Sequence, residues 1–204
     1  MRSLEDKMIQ QASINKPFLS LIISDLNVFK KSVIVLISIA ILTISAKFYI
    51  ILPFSPVPIT FQTFVVLSGG IVLGWQLAAI SYSSYLLLGL FGLPVFQNAK
   101  YTGMAVFHSP TLGYLIGFIM AGMVLGYLTR NGLYKNYFIM FLLMILGSII
   151  IYAFGVIWLA IIFSWDFAEL IQKGVLPFLI GDTVKIALGT GTVPILARLL
   201  SHGK

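Results

Sequence analysis

Along this chain the polar residues gather in a few short stretches, and between them lie long, almost purely apolar runs. The first run, Ser32 to Ile51, has the length a helix needs to cross ~30 Å of hydrocarbon at about 1.5 Å per residue. Next comes Leu52-Pro-Phe-Ser-Pro-Val-Pro-Ile-Thr60, whose prolines remove backbone donors and forbid a continuous helix. Irregular backbone at membrane depth is tolerated only where it is buried in protein or lines a cavity, so this segment is a candidate cavity wall. A second helix is expected from Phe61 to Trp75 and a third from Gln76 to Leu93, with Gly69, Gly70, Gly74, Ala78, Ala79 and Ser81 suggesting close helix contact. The connection from Pro94 to Pro110 is long, and loops of that length are binding loops or lids, or else disordered. A fourth helix is expected from Thr111 to Leu128, ending at the basic turn Arg130 to Lys135, and a fifth from Tyr137 to Phe163. Asp166, Glu169 and Lys173 read as a solvated loop. The sixth helix is expected to begin at Gly181 or Asp182 and to reach Leu200, bent at Pro194.

The fold class that follows is an all-α integral membrane protein with six transmembrane helices and both termini in the cytoplasm. Residues 1–30 form a cytoplasmic or interfacial arm, and residues 31–204 a six-helix membrane domain with an outward-facing ligand pocket. Composition agrees: 59% of the residues are hydrophobic and 9% charged, more apolar surface than a globule of 204 residues hides in one core. The arm resembles no signal peptide, and Phe18, Leu19, Ile22, Leu26 and Phe29 fall at helical spacing, as in a helix lying on the membrane surface. Lysine and arginine crowd one side: five on the arm, two in the turn after helix four and two at the C-terminal end, against Lys47, Lys100 and Lys173 on the other. The positive-inside rule then sets the orientation in the cell membrane. It also accounts for the net charge of +7, which therefore implies no nucleic-acid partner. Lys47, within a turn of the far end of helix one, reads as a snorkelling side chain. In this orientation the proline-rich segment, the long loop and the start of helix six all lie on the outer side.

The candidate chemistry is sparse. There is no cysteine, His108 and His202 are far apart without acidic neighbours, and no metal-ligand spacing is present. Neither a nucleophile motif nor a phosphate-cradling glycine loop occurs, so no catalytic site, cofactor or enzyme activity is expected. Any ATP must be hydrolysed by a different chain. What stands out is one acid and one base three residues apart in an otherwise uncharged stretch, Asp182 and Lys185. Positions three apart share a helical face. Intramembrane charges are costly and by default mark a ligand or ion site, whereas on the other reading Asp182 only caps the helix and Lys185 snorkels. A lysine in the first turn of a helix faces the positive end of the macrodipole, which is unfavourable unless the aspartate or a ligand offsets it. Gln62 and Tyr85 are polar groups to aim inward; a helix-start hydrogen bond and aromatic packing are their ordinary alternatives.

Five blocks resemble the BioY family, the biotin-specific substrate-binding (S) components of energy-coupling-factor (ECF) transporters: SPVPITFQTFVVLSGG from Ser55, YLLLGLFGLPVF from Tyr85, PTLGYLIGF from Pro110, IYAFGVIWLA from Ile151 and LPFLIGDTVK from Leu176. The resemblance implies a protein that binds biotin from the outer side and delivers it inward when docked to a transmembrane coupling protein with two ATP-binding subunits. It places a Gly-Asp-x-x-Lys motif, here Asp182 and Lys185, in the biotin site. The ureido ring of biotin offers two N–H donors and one carbonyl acceptor, to which an acid and a cation on one face are complementary. Tyr85, Tyr152 and Trp158 are expected to wall the bicyclic ring, the long loop to close over the valerate tail, and Gln62, Asn98 or Lys100 to meet its carboxylate. Where the family has a glycine-rich loop, this chain has Gln97, Asn98, Lys100 and Tyr101. The competing reading is a stand-alone secondary transporter for biotin or another small vitamin. The shortage of intramembrane acids and the lack of an evident inverted repeat weigh against it.

Overall fold

The computed structural model describes residues 27–98 and 100–201, and residues 196–201 by their backbone alone. The expected surface helix of the arm and His202 lie outside the described residues. Seven α-helices are described: α1 Val28–Lys47, α2 Gln62–Leu73, α3 Trp75–Leu90, α4 Leu112–Leu128, α5 Tyr137–Phe163, α6 Phe167–Gly174 and α7 Leu176–Ser201. Short 3-10 turns at Gly103–His108, Thr129–Asn131 and Leu133–Lys135 join them.

Among the described residues four helices are long and apolar enough to cross a membrane: α1, α4 (counted with its terminal turn to Asn131), α5 and α7 through Ile195. The 12 residues of α2 and the 16 of α3 extend only about 18 and 24 Å. Helix α1 stops at Lys47, earlier than its apolar run suggests, because the β-branched and aromatic residues after it turn extended. Tyr49–Ile50 (β1) pairs antiparallel with Ile59–Thr60 (β2), Tyr49 opposite Thr60 and Ile50 opposite Ile59. This small ribbon folds the proline-rich segment back over the start of α2.

The stretch read as a solvated loop is partly helical. Asp166 caps α6, its carboxylate accepting the Glu169 N–H at 2.7 Å, and Glu169 pairs with Lys173 at 3.1 Å one turn on. The last helix also differs from expectation, beginning at Leu176. Pro177 does not delay it, because a first-turn proline lacks only an N–H that would have had no partner. Asp182 is therefore well inside α7 and caps nothing, and Lys185 lies beyond the first turn, clear of the unfavourable dipole end.

Helix α4 is the centre of the bundle, packing on α5, α3 and α2, while α7 lies on α5 and α2 and α1 lies on α3 and α2. Contact is close because glycines remove side chains where backbones meet. A Cβ built on Gly70 of α2 would stand 2.8 Å from Gly122 Cα of α4, and one on Gly117 of α4 would stand 2.9 Å from Ile151 Cα of α5. In lipid, where apolar solvent gives no hydrophobic drive, such packing is what joins helices.

Candidate functional site

The starts of α2, α4 and α7, the middle of α5, the proline-rich segment and the long loop converge on one pocket, with about 540 Å³ of empty space including its mouth. Its walls are mostly apolar and aromatic. Phe178 of α7 stacks on Tyr152 of α5 at 6.3 Å between ring centres and meets Tyr114 of α4 edge-on at 6.0 Å. Phe96, Phe118, Ile151, Val57 and Pro58 complete the apolar part.

The polar part is a self-contained cluster around the last helix. Asp182 and Lys185, 4% and 9% exposed, form an ion pair, Lys185 Nζ donating to Asp182 Oδ1 at 2.7 Å. Thr63 of α2 bridges them: its hydroxyl donates to the same oxygen at 3.1 Å and accepts from Lys185 Nζ at 2.9 Å. The Tyr152 hydroxyl donates to Asp182 Oδ2. Burial and these bonds exclude a snorkelling lysine. The cluster leaves capacity unused. An ammonium has three N–H groups and Lys185 spends two; a carboxylate has about four lone-pair sites and Asp182 fills three among the described residues. One N–H of the Lys185 ammonium and one acceptor position on Asp182 Oδ2 thus remain unspent among the described residues.

Of the residues singled out from sequence, Asp182, Lys185, Gln62 and Tyr152 line this pocket together. Tyr85 stands behind Gln62: the Gln62 amide donates to its hydroxyl at 2.9 Å, and that hydroxyl donates to Val95 O at 3.0 Å. Trp158 is not among the lining residues; its indole N–H donates to Ser109 O at 2.8 Å and so secures the end of the long loop against α5. Asn98 and Lys100 are exposed and outside the lining, the Asn98 side chain accepting the Lys100 backbone N–H at 2.9 Å in a local turn. Gln97 lines the pocket instead.

Sequence reasoning missed Thr63, Tyr114, Phe178 and Gln97. Phe178 carried a signal, four residues before Asp182 and so on the same face of α7. Thr63 follows Gln62 at the head of an apolar helix. Tyr114 also holds the outer rim, its hydroxyl donating to Gly174 O at 2.7 Å, as Ser55 does to Lys173 O at 2.7 Å.

The sequence matches the BioY family over residues 14–202. The chain belongs to the BioY family. Among its relatives, the biotin transporter BioY of Rhizobium etli is 38% identical over 141 residues, 66% of this chain and 74% of that protein. The biotin transporter BioY of Thermotoga maritima is 38% identical over 141 residues, 69% of this chain and 80% of that one. The fold is similar to a crystal structure at 2.1 Å of the S-component for biotin from an ECF-type ABC transporter, with a TM-score of 0.74 and 27% identity over 83% of this chain and 92% of that one. These BioY relatives are transporters by name, and four apolar helices of spanning length mark this chain as a membrane protein.

Proposed function

We propose that this protein binds biotin in the pocket between α2, α4, α5 and α7 and serves uptake as the substrate-specific S component of an ECF-type transporter. The carrying observation is the spare valence of the buried pair. One remaining N–H on Lys185 and one remaining acceptor position on Asp182 Oδ2, both on residues that line the pocket, match in kind the C=O and N–H groups of a urea. The aromatic faces of Tyr114, Tyr152 and Phe178 then suit the fused ring, and the valerate tail runs toward Gln62 and Gln97 at the loop. Asn98 and Lys100 reach its carboxylate only if the loop folds further over the mouth.

Placement in the membrane follows from the same elements. Helices α2 and α3 complete six crossings with the extended segment before α2, and residues 31–204 form the membrane domain. The basic turn after α4 faces the cytoplasm, as do both termini, and the pocket opens outward from the cell membrane. Inward delivery then depends on a transmembrane coupling protein and two ATP-binding subunits. Titrating the detergent-purified chain by calorimetry with biotin, riboflavin and thiamine tests the reading: biotin alone is expected to bind, and saturable binding of another vitamin in its place would overturn it. The stand-alone carrier makes the opposite prediction in liposomes, accumulation of biotin that disappears when ion gradients are collapsed.

A further inference from the structure

Phe96 and Gln97 wall the pocket from a stretch that belongs to neither helix nor strand. What holds this stretch is a row of three consecutive carbonyls, each taken by a side chain from a helix. Lys47 Nζ, at the end of α1, donates to Pro94 O at 3.1 Å and to Phe96 O at 2.6 Å. Between them, Val95 O accepts from the Tyr85 hydroxyl of α3. The Phe96 ring meets Tyr85 edge-on at 5.4 Å and fills the space left by Gly89, where a Cβ would stand 2.0 Å from the ring.

The two fasteners are unlike. Tyr85 is 2% exposed and held in turn by Gln62, so it is fixed within the bundle. Lys47 is exposed, and of its two bonds only the one to Phe96 O is part-buried. Bonds from an exposed ammonium are weak against water, and they break and re-form without disturbing the core. Lys47 also sits in the last turn of α1, where a cation is favoured by the helix dipole.

We propose that Lys47 is the latch of the pocket. With its ammonium on the Pro94 and Phe96 carbonyls, the Phe96–Gln97 wall is shut. When the ammonium lets go, the wall swings about the Val95–Tyr85 bond and ligand passes. That the ligand is biotin rests on the function proposed above; the latch itself does not.

The absence of cysteine makes the motion measurable. Ile151 lines the pocket and is 1% exposed, so a lone thiol introduced by Ile151→Cys reacts with a membrane-impermeant maleimide only when the wall opens. Adding Lys47→Met is expected to raise the ligand-free labelling rate about tenfold, the low end of what a single bond from a charged donor represents because water screens an exposed ammonium, and Lys47→Arg to hold it near the parent rate. In the chain without the thiol, Lys47→Met is expected to speed biotin dissociation by a similar factor and Lys47→Arg to restore it. If Lys47→Met does not give monodisperse protein, Lys47→Gln, uncharged and shorter, serves the same comparison. Unchanged labelling in the Met or Gln variant overturns the latch, and faster labelling with an unchanged biotin off-rate overturns its role in ligand passage. Failure of the parent protein to bind biotin at all would instead refute the proposed function, while the labelling rates still decide whether the wall is latched.

Discussion

The buried pair can be separated into its structural and its binding role by removing one charge and then both. Lys185→Met leaves the Asp182 carboxylate at 4% exposure with Thr63 and Tyr152 as partners and no counter-charge. Asp182→Asn leaves the ammonium in the same position with Thr63 and a neutral amide oxygen as acceptors but no counter-charge. Breaking one side of a buried pair costs about 3–5 kcal/mol, because the uncompensated ion remains out of water. For a chain of this size that is a drop of roughly 10 °C in unfolding temperature. The double variant removes both ions and is expected to return to within about 1 kcal/mol of the parent, since a neutral replacement of a buried pair is often energetically even. Biotin affinity should follow a different pattern. Each single change deletes one charge-assisted bond to the urea edge, about 1.5–3 kcal/mol, and the double change deletes both, so the most stable variant should be the weakest binder, down by roughly a hundredfold or more. Thermal unfolding followed by tryptophan fluorescence and calorimetric titration of the same four preparations supply the two readouts. A double variant that binds biotin as tightly as the parent would show the pair to be scaffolding alone. Single variants as stable as the parent would show that the ions are not confined as described.

Thr63→Val keeps the shape of the bridge and removes its hydroxyl, so the pair stays together but loses its hold on α2; biotin affinity should fall roughly tenfold in a calorimetric titration with less than about 2 kcal/mol lost in stability. Gly117→Val places a side chain 2.9 Å from Ile151 Cα and 3.1 Å from Ile151 O, backbone atoms that cannot turn aside, and should cost at least ~1–3 kcal/mol in thermal unfolding by forcing α4 off α5. Gln97→Ala should weaken biotin binding several-fold, whereas Lys100→Ala should leave it within about twofold, because only the first side chain lines the pocket; the reverse order in the same titration would place the valerate carboxylate at Lys100.

The membrane elements were legible wherever apolar length alone decides. The fifth helix was expected at Tyr137–Phe163 and is found there, and the fourth differs at its start by one residue. The boundaries that were misjudged lie where local chemistry competes with apolar length. Phe48 to Ile51 are as apolar as the helix before them, yet their pairing with Ile59 and Thr60 across the proline segment ends α1 at Lys47. Asp166 and Glu169 read as solvated, although an aspartate three residues before a glutamate is also a helix-start signal, which α6 uses. The last helix starts at Leu176, ahead of the expected Gly181 or Asp182, because Pro177 in its first turn lacks only an N–H that would have had no partner. Within the site, the Asp182–Lys185 face was visible from spacing, and so was the convergence of the proline-rich segment, the long loop and the last helix on one place. The ring partners were not. Whether Trp158 or Tyr114 faces the pocket depends on the rotation of α4 against α5, and that rotation is fixed by glycines, which mark proximity without direction.

The cluster of Thr63, Tyr152, Asp182 and Lys185 draws most of its bonds from within the protein. Naked ions at that depth would have to recruit solvent or force a collapse. Here the resident side chains neutralise one another, so the helix that carries them enters the bilayer with no net charge at its buried face and still has surplus valences to offer a visitor.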